Sequence, residues 1–133
     1  MLSDGNVTAT LPAADIDRAE RFYAEMLDLR PVSVTPQGLT YECGNGTRFI
    51  VFPSQGSASG SHTQLTFIVG DIEGEVGDLK ANGVAFEEYD LPQLKTVNSI
   101  AVTDQLKSAW FKDSEGNLLN ITEIGGAEPV PTE

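Results

Sequence analysis

The chain has 133 residues, with 20 acidic and 8 basic side chains and a formal net charge of −12. This length fits one compact domain or two small modules that share a core. The negative charge repels phosphate backbones and anionic membranes, so we expect neither nucleic acid nor a membrane as a partner and favour a neutral or cationic molecule.

Cysteine content and hydropathy indicate the compartment. Cys43 is the single cysteine, so no internal disulfide is expected. The N-terminus lacks the basic stretch and apolar core of a secretory signal, and no apolar run approaches the ~20 residues that span a bilayer. We expect a cytoplasmic protein.

The first half begins with a strand and a helix. Residues 7–11 form an alternating, β-branched run, which predicts a strand. A helix from Asp15 to about Asp28 follows, with Asp15 as its N-cap. Its apolar positions share one face, which we expect to lie on a sheet: Ile16, Ala19, Phe22, Tyr23, Met26 and Leu27.

Three strands then follow in a meander. The runs 32–34, 39–43 and 48–52 are separated by Pro-Gln-Gly and Gly-Asn-Gly turns. Residues 54–62 are rich in Ser, Gly and Ala, a composition that predicts a flexible linker.

The second half repeats this order. A strand at 65–69 precedes a helix over 71–82, which Gly74 and Gly77 weaken. The remaining predictions are strands at 84–86, 108–112 and 118–124, an irregular stretch over 89–105, a turn over 113–117 and a disordered tail over 125–133.

The two halves share a signature at the start of each helix. Asp-Ile-Asp at 15–17 and Asp-Ile-Glu at 71–73 each close an apolar run and begin a helical pattern. We therefore predict an α+β fold over residues 1–124, with modules at about 1–53 and 63–124. Each module is strand, helix and three strands, and their curved mixed sheet surrounds a central cleft.

Two segments resemble a known family. Segment 11–23, Leu-Pro-Ala-Ala-Asp-Ile-Asp-Arg-Ala-Glu-Arg-Phe-Tyr, followed by Met-Leu at 26–27, and segment 110–117, Trp-Phe-Lys-Asp-Ser-Glu-Gly-Asn, resemble the vicinal oxygen chelate superfamily. That family includes glyoxalase I, extradiol dioxygenases, fosfomycin resistance proteins and bleomycin-binding proteins. The resemblance implies paired βαβββ modules and a homodimer. One scaffold hosts unrelated chemistries, so the activity has to be argued from the site.

The resemblance also implies where a metal would bind. In metal-using members, four equivalent strand positions hold His, Gln or Glu, and here they carry Thr8, Ile50, Gln64 and Asn120. Isoleucine has no lone pair, and hydroxyls and amides lack the basicity that a catalytic first-row metal requires. His62, the only histidine, needs a register slip to reach the position of Gln64. We predict no metal and no cofactor.

Strand alternation puts a mixed set of side chains on the face that lines the expected cleft. Apolar walls with a few polar groups are typical of small-molecule sites. No catalytic residue is predicted. The predicted ligand-binding residues, which include Trp110 as a stacking surface, are Thr8, Thr10, Arg48, Ile50, Phe52, Gln64, Thr66, Trp110 and Asn120.

Several of these residues also have structural interpretations. Gln64 and Asn120 are equally suited to bond each other or water inside a closed core. Trp110 fits a core or interface aromatic, and Arg48 fits a partner for one of the many carboxylates. The acidic segment 87–90 is interpreted as a solvated edge that is also able to attract a cation.

Three functions stay open on the sequence. The residues favour a metal-independent small-molecule-binding protein of the glyoxalase and bleomycin-resistance type, which sequesters its ligand without turnover. A metal-dependent lyase, isomerase or dioxygenase would recruit Gln64 and His62 with a carboxylate such as Glu42 or Glu123. A protein-interaction module would use the loop 89–105 as its contact surface.

Overall fold

The computed structural model describes residues 1–56 and 58–125, so Ser57 and the predicted tail beyond Gly125 lie outside the described residues. Across these two ranges, no helix combines the length and the apolar character that a membrane crossing requires. Backbone contacts divide the described residues into two compact units. The first unit is Met1–Ser59 with Asp113–Asn117, and the second is Gly60–Lys112 with the chain from Leu118 onward.

The first unit contains one long helix and a four-stranded mixed sheet. Its elements are β1 (Ala9–Ala13), α1 (Ile16–Leu27), β2 (Ser33–Thr35), β3 (Gly38–Glu42) and β4 (Arg48–Pro53), with strand order β1-β4-β3-β2. Strand β1 is parallel to β4, and the remaining pairs are antiparallel. Asp15 caps α1 as predicted, because its carboxylate accepts from the Arg18 backbone N–H at 3.0 Å.

An aromatic stack fills the core of the first unit between α1 and its sheet. Tyr23 of α1 stacks on Tyr41 of β3 with ring centroids 5.2 Å apart, and Tyr41 stacks on Phe49 of β4 at 5.0 Å. Leu11 and Val51 are fully buried beside them. Because side chains alternate along a strand, the residues next to these core positions lie on the opposite face of the sheet.

The turn Asp113–Asn117 belongs to the first unit and anchors α1. The buried Asp113 carboxylate accepts from the Tyr23 hydroxyl at 2.7 Å and from the Asn117 side-chain amide at 2.8 Å. Asn117 also donates to the Pro12 carbonyl at 3.0 Å. Burial and the Asp113 carboxylate together raise the pKa of Tyr23, so its hydroxyl stays a donor.

Glu115 in the same turn pairs with the start of the helix. Its carboxylate accepts from the Arg18 guanidinium at 2.8 and 2.9 Å and from the Asp15 backbone N–H at 3.0 Å. The Arg18 hydrogen bond is the main reason that the pKa of Glu115 falls to about 2. A segment far along the sequence thereby fixes the N-terminus of α1.

The second unit contains one helix and a six-stranded mixed sheet. Its elements are β5 (Thr63–Ile68), α2 (Ile72–Ala81), β6 (Asp90–Leu91), β7 (Leu94–Val97), β8 (Ile100–Thr103), β9 (Leu106–Lys112) and β10 (Leu118–Ile124), with strand order β5-β10-β9-β8-β7-β6. Strand β5 is parallel to β10, and every other pair of neighbouring strands in this sheet is antiparallel. Asp71 caps α2 through the Gly74 N–H at 3.2 Å.

The strand order of the second unit repeats that of the first. In the strand order, β5, β10, β9 and β8 correspond to β1, β4, β3 and β2 of the first unit. In each unit a helix follows the first strand. The predicted α+β fold, with mixed sheets and a repeated strand-helix-strand design, is therefore confirmed. The additional strands β6 and β7 are inserted between α2 and β8.

The region after α2 differs from the prediction in two ways. Residues 84–86 do not form a strand, since Phe86 makes only an isolated antiparallel bridge to Phe111. Residues 89–105 are not irregular, because β7 and β8 form a hairpin there. Asn98 and Ser99 both adopt positive φ, at 53° and 74°, which gives the backbone twist that two-residue hairpin turns favour.

Glu88 stabilises this turn, which the local sequence does not predict. A serine at positive φ is strained, and Asn-Ser is a weaker hairpin signal than Asn-Gly. In the structure the Glu88 carboxylate accepts from the Ser99 hydroxyl at 2.6 Å, the Ser99 N–H at 3.2 Å and the Thr96 hydroxyl at 2.7 Å. These contacts, with the Ser99 hydroxyl bond first, also lower the pKa of Glu88.

Candidate functional site

Four of the predicted ligand-binding residues share one face of the first sheet. Thr10 pairs with Ile50, and Ile50 pairs with Thr40. Arg48 and Phe52 lie two positions before and after Ile50, so they point to the same side as Ile50, opposite the buried Val51. Thr10 and Arg48 are exposed, whereas Ile50 and Phe52 are half-buried.

Thr8 lies outside this face, and Arg48 lies on it but is already paired. Thr8 precedes β1 and is exposed, so it is not part of the paired sheet. Arg48 is paired with Glu42, the guanidinium lying 2.8 Å from the carboxylate. Arg48 therefore has the carboxylate partner that the excess of acidic residues predicted, and Glu42 is not a free carboxylate.

The second sheet brings four predicted residues together. Thr66 of β5 pairs with Asn120 of β10, and Asn120 pairs with Trp110 of β9, so the three side chains form a row across the sheet. Gln64 lies two residues before Thr66. Because Leu65, Leu119 and Phe111 point the other way, this row lies on the face opposite the apolar one.

Helix α2 packs against that other, apolar face. The Ile72 backbone N–H donates to Glu123 at 2.9 Å, and Lys107 donates to Glu73 at 3.0 Å. Glu123 and Lys107 alternate with Asn120 and Trp110 along their strands, so α2 begins on the side away from the row. We call the other side, with Thr63, Gln64, Thr66, Ser108, Trp110, Asn120 and Thr122, the polar face.

Hydrogen bonds inside the polar face hold Asn120 in place. Its amide nitrogen donates to the Ala109 carbonyl at 3.3 Å, and its amide oxygen accepts from the Thr122 hydroxyl. Thr122 also shares a hydrogen bond with Ser108 at 3.1 Å. Asn120 is 5% exposed, so this network fixes a buried amide in one orientation.

Gln64 sits at an irregularity of β5. The register shifts so that Thr63 pairs with Leu118 and Leu65 with Leu119, which leaves Gln64 as the extra residue of a β-bulge. Counting back from Thr66 places Gln64 on the polar face, and Thr63 is there too because it accepts from the Trp110 indole N–H at 3.2 Å. Among the described residues the buried Gln64 amide oxygen finds no hydrogen-bond donor.

Glu87 is a neighbour of this row that was not among the predicted ligand-binding residues. Its backbone N–H donates to the Trp110 carbonyl at 2.8 Å, directly beside the bridge between Phe86 and Phe111. The Phe86 ring contacts Phe111 on the apolar face, so alternation puts the Glu87 side chain on the polar face next to Trp110. The only signal in the sequence was the acidic segment 87–90. The side of the sheet on which Glu87 lies is fixed by the bridge between Phe86 and Phe111.

At the four positions where the resemblance implies metal ligands, the side-chain groups do not fit a catalytic first-row metal. Thr8, Ile50, Gln64 and Asn120 offer hydroxyl, aliphatic and amide groups, and the Asn120 amide is already committed to the sheet. Glu123, a carboxylate considered as a replacement ligand, lies on the apolar face and accepts from α2.

Glu123 does take part in a carboxylate group elsewhere. Asp71, Glu73 and Glu123 have ligand atoms within 4.8 Å of one another, the one such group of three that the described chain contains. Lys107 neutralises part of it through Glu73, and the pair lowers the pKa of Glu73 and raises that of Lys107. The group lies beside the start of α2, away from the polar face.

Comparison with known proteins identifies the class of fold. No protein-family model and no curated protein sequence matches the chain significantly. Among solved structures, a glyoxalase/bleomycin resistance protein/dioxygenase from Nocardioides matches with a TM-score of 0.64 at 16% identity, over 97% of this chain and 90% of that one. The protein UcmS2 matches with a TM-score of 0.69 at 16% identity, over 89% and 98%.

A third match extends the range of functions on this fold. The genomically encoded fosfomycin resistance protein FosX from Listeria monocytogenes has a TM-score of 0.65 at 13% identity, over 88% of this chain and 89% of that one. The chain therefore shares the fold of these glyoxalase/bleomycin resistance and fosfomycin resistance structures, which is the fold that the resemblance in the sequence predicted. At these identities the likeness establishes the fold alone.

Proposed function

We propose that this protein binds a small molecule on the polar face of its second sheet and sequesters it without a metal. The observation that carries the proposal is the row Thr66, Asn120 and Trp110, which continues to Glu87. It combines a hydroxyl, a fixed amide, an indole ring and a carboxylate on the side of the sheet away from the start of α2. A few oriented polar groups beside an aromatic wall are the usual composition of a ligand site.

Exposure along the row supports the same proposal. Thr66 is exposed and Trp110 and Glu87 are half-buried, so a molecule placed on this face would contact all three side chains. The predicted residues of the first sheet, Thr10, Ile50 and Phe52, supply a more apolar face of their own. Metal independence is supported by the chemistry of the donor groups at the family metal positions.

The test is a small-molecule library screened by thermal shift in the presence of EDTA. We expect compounds that raise the melting temperature, since a ligand that binds only the folded state stabilises it. Thr66→Phe places a ring on the polar face and is expected to weaken those compounds by roughly tenfold or more.

Val102→Phe is the matched control. Val102 pairs with Lys107, so the same ring is added on the opposite face at a position that is 64% exposed. The control is expected to retain every stabilising compound. A library without any stabilising compound, or compounds equally effective on Thr66→Phe, would overturn the proposal.

A further inference from the structure

The Glu87 carboxylate has no counter-charge within the described part of the chain. The residue is half-buried, and its side chain forms no hydrogen bond or ion pair with any described residue. A carboxylate beside an aromatic ring and without a cationic partner is available to a cation that a ligand brings.

Two aromatic rings stand beside this carboxylate. Tyr89 is two residues from Glu87 and on the same side, and its ring meets Trp110 edge to face with centroids 5.5 Å apart and planes at 86°. Burial, and after it the nearby Glu87 charge, raises the pKa of Tyr89. Aromatic faces attract cations, most strongly the indole ring, and a nearby carboxylate adds to that attraction.

The charge next to Tyr89 favours a cationic guest. An open depression of about 290 Å³ borders Tyr89 and is lined by Glu88, Tyr89, Asp90, Lys95 and Thr96, so it lies beside Glu87 and Trp110 without including them. Its one basic group, Lys95, lies 3.4 Å from Asp90 and is thereby partly neutralised. The formal charge of −12 draws cations toward the protein as a whole.

Gln64 supplies an independent indication of what the ligand must offer. Its amide oxygen lacks a donor among the described residues and sits at a bulge on the polar face, next to the threonine that binds Trp110. A buried acceptor without a partner is costly, and side-chain rotation at a bulge would expose it to a ligand N–H. An ammonium group carries such donors, whereas a quaternary ammonium does not.

We propose that Glu87 and Trp110 form the recognition site for an organic ammonium group, with Gln64 accepting one of its N–H bonds. This inference rests on the proposed function, because it names the ligand class of the same polar face. Charge, aromatic contact and hydrogen-bond acceptance are contributed by three different side chains, so each can be removed separately.

The test uses the fluorescence of Trp110, the single tryptophan of the chain. Benzylamine, which is protonated at neutral pH, is expected to change the emission saturably. Benzyl alcohol, its neutral analogue, is expected to bind roughly fivefold more weakly, the factor that corresponds to one partly buried ion pair. Benzyltrimethylammonium, which has charge but no N–H donor, is expected to fall between them.

Glu87→Gln should reduce the preference for benzylamine over benzyl alcohol to about one, and raising the salt concentration should act in the same direction. Glu75→Gln, which removes an exposed carboxylate from α2, is the control and should leave the preference unchanged. If the three probes bind Trp110 with equal affinity, the ammonium inference is wrong and the small-molecule proposal stands. If none of the three probes binds while other compounds bind at Trp110, the ammonium inference is again wrong and the small-molecule proposal still stands.

Discussion

Two buried tyrosines of the first unit differ in what their hydroxyl groups contact. Tyr23 donates to Asp113 at 2.7 Å, whereas the Tyr41 hydroxyl has no hydrogen-bond partner among the described residues. Their rings stack on each other, so ring packing is nearly the same for both. A hydroxyl that satisfies a buried carboxylate stabilises the fold, and one that stays unpaired does not.

Replacing each tyrosine by phenylalanine separates these two cases. Tyr23→Phe is expected to lower the free energy of unfolding by about 1–3 kcal/mol, because it leaves the Asp113 carboxylate short of a donor. Tyr41→Phe is expected to leave it unchanged or to raise it by up to ~1 kcal/mol. Urea unfolding of both variants measures the difference, and equal losses would contradict the assigned roles.

At the scale of elements, the hairpin of β7 and β8 depends on Glu88. Glu88→Gln keeps an acceptor but removes the charge that binds both the N–H and the hydroxyl of Ser99. We expect faster hydrogen exchange at the Ser99 amide with little change in the melting temperature, because opening this hairpin is a local event. Unchanged exchange at Ser99 would show that the turn holds its positive φ values without Glu88.

The same element shows which parts of the fold the sequence could specify. The helices, their Asp15 and Asp71 caps and the strands around Ile50 and Asn120 follow from periodicity and capping, which are local signals. Local signals do not predict the β7–β8 hairpin, because Glu88, eleven residues before Ser99, stabilises a turn that local propensity disfavours.

The candidate site divides in the same way. Alternation was enough to place Thr66, Trp110 and Asn120 on one face, since it needs only the strand register. The sequence marked Glu87 only within the acidic segment 87–90 that is able to attract a cation. Its position beside Trp110 could not be predicted, because the side of the sheet on which it lies is set by the bridge between Phe86 and Phe111. The bulge at Gln64 could not be predicted from the sequence either, since it becomes apparent only when β5 is paired with β10.

For the whole molecule, acid stability is expected to depend on Glu115. Its pKa is lowered from about 4.5 to about 2 in the folded state, first by the Arg18 hydrogen bond. A lowered pKa means that the unfolded chain binds the proton more readily. This stabilisation is therefore complete above the unfolded pKa and is lost as the pH falls from about 4.5 toward 2.

Glu115→Gln tests this dependence. We expect a loss of about 1–3 kcal/mol at neutral pH and a smaller further loss on acidification than in the parent protein. Urea midpoints measured across this pH range give both quantities, with Glu75→Gln as the exposed control. A variant with the same pH profile as the parent would show that another carboxylate governs acid unfolding.

The central claim is that a small molecule binds on the polar face, beside Trp110. The most direct measurement is the amide correlation NMR spectrum, in which the single tryptophan gives one indole N–H signal. Compounds that stabilise the protein in EDTA are expected to shift that signal saturably in the parent, and not in Thr66→Phe. Stabilising compounds that leave the indole signal unmoved and shift only residues away from the polar face would contradict the claim.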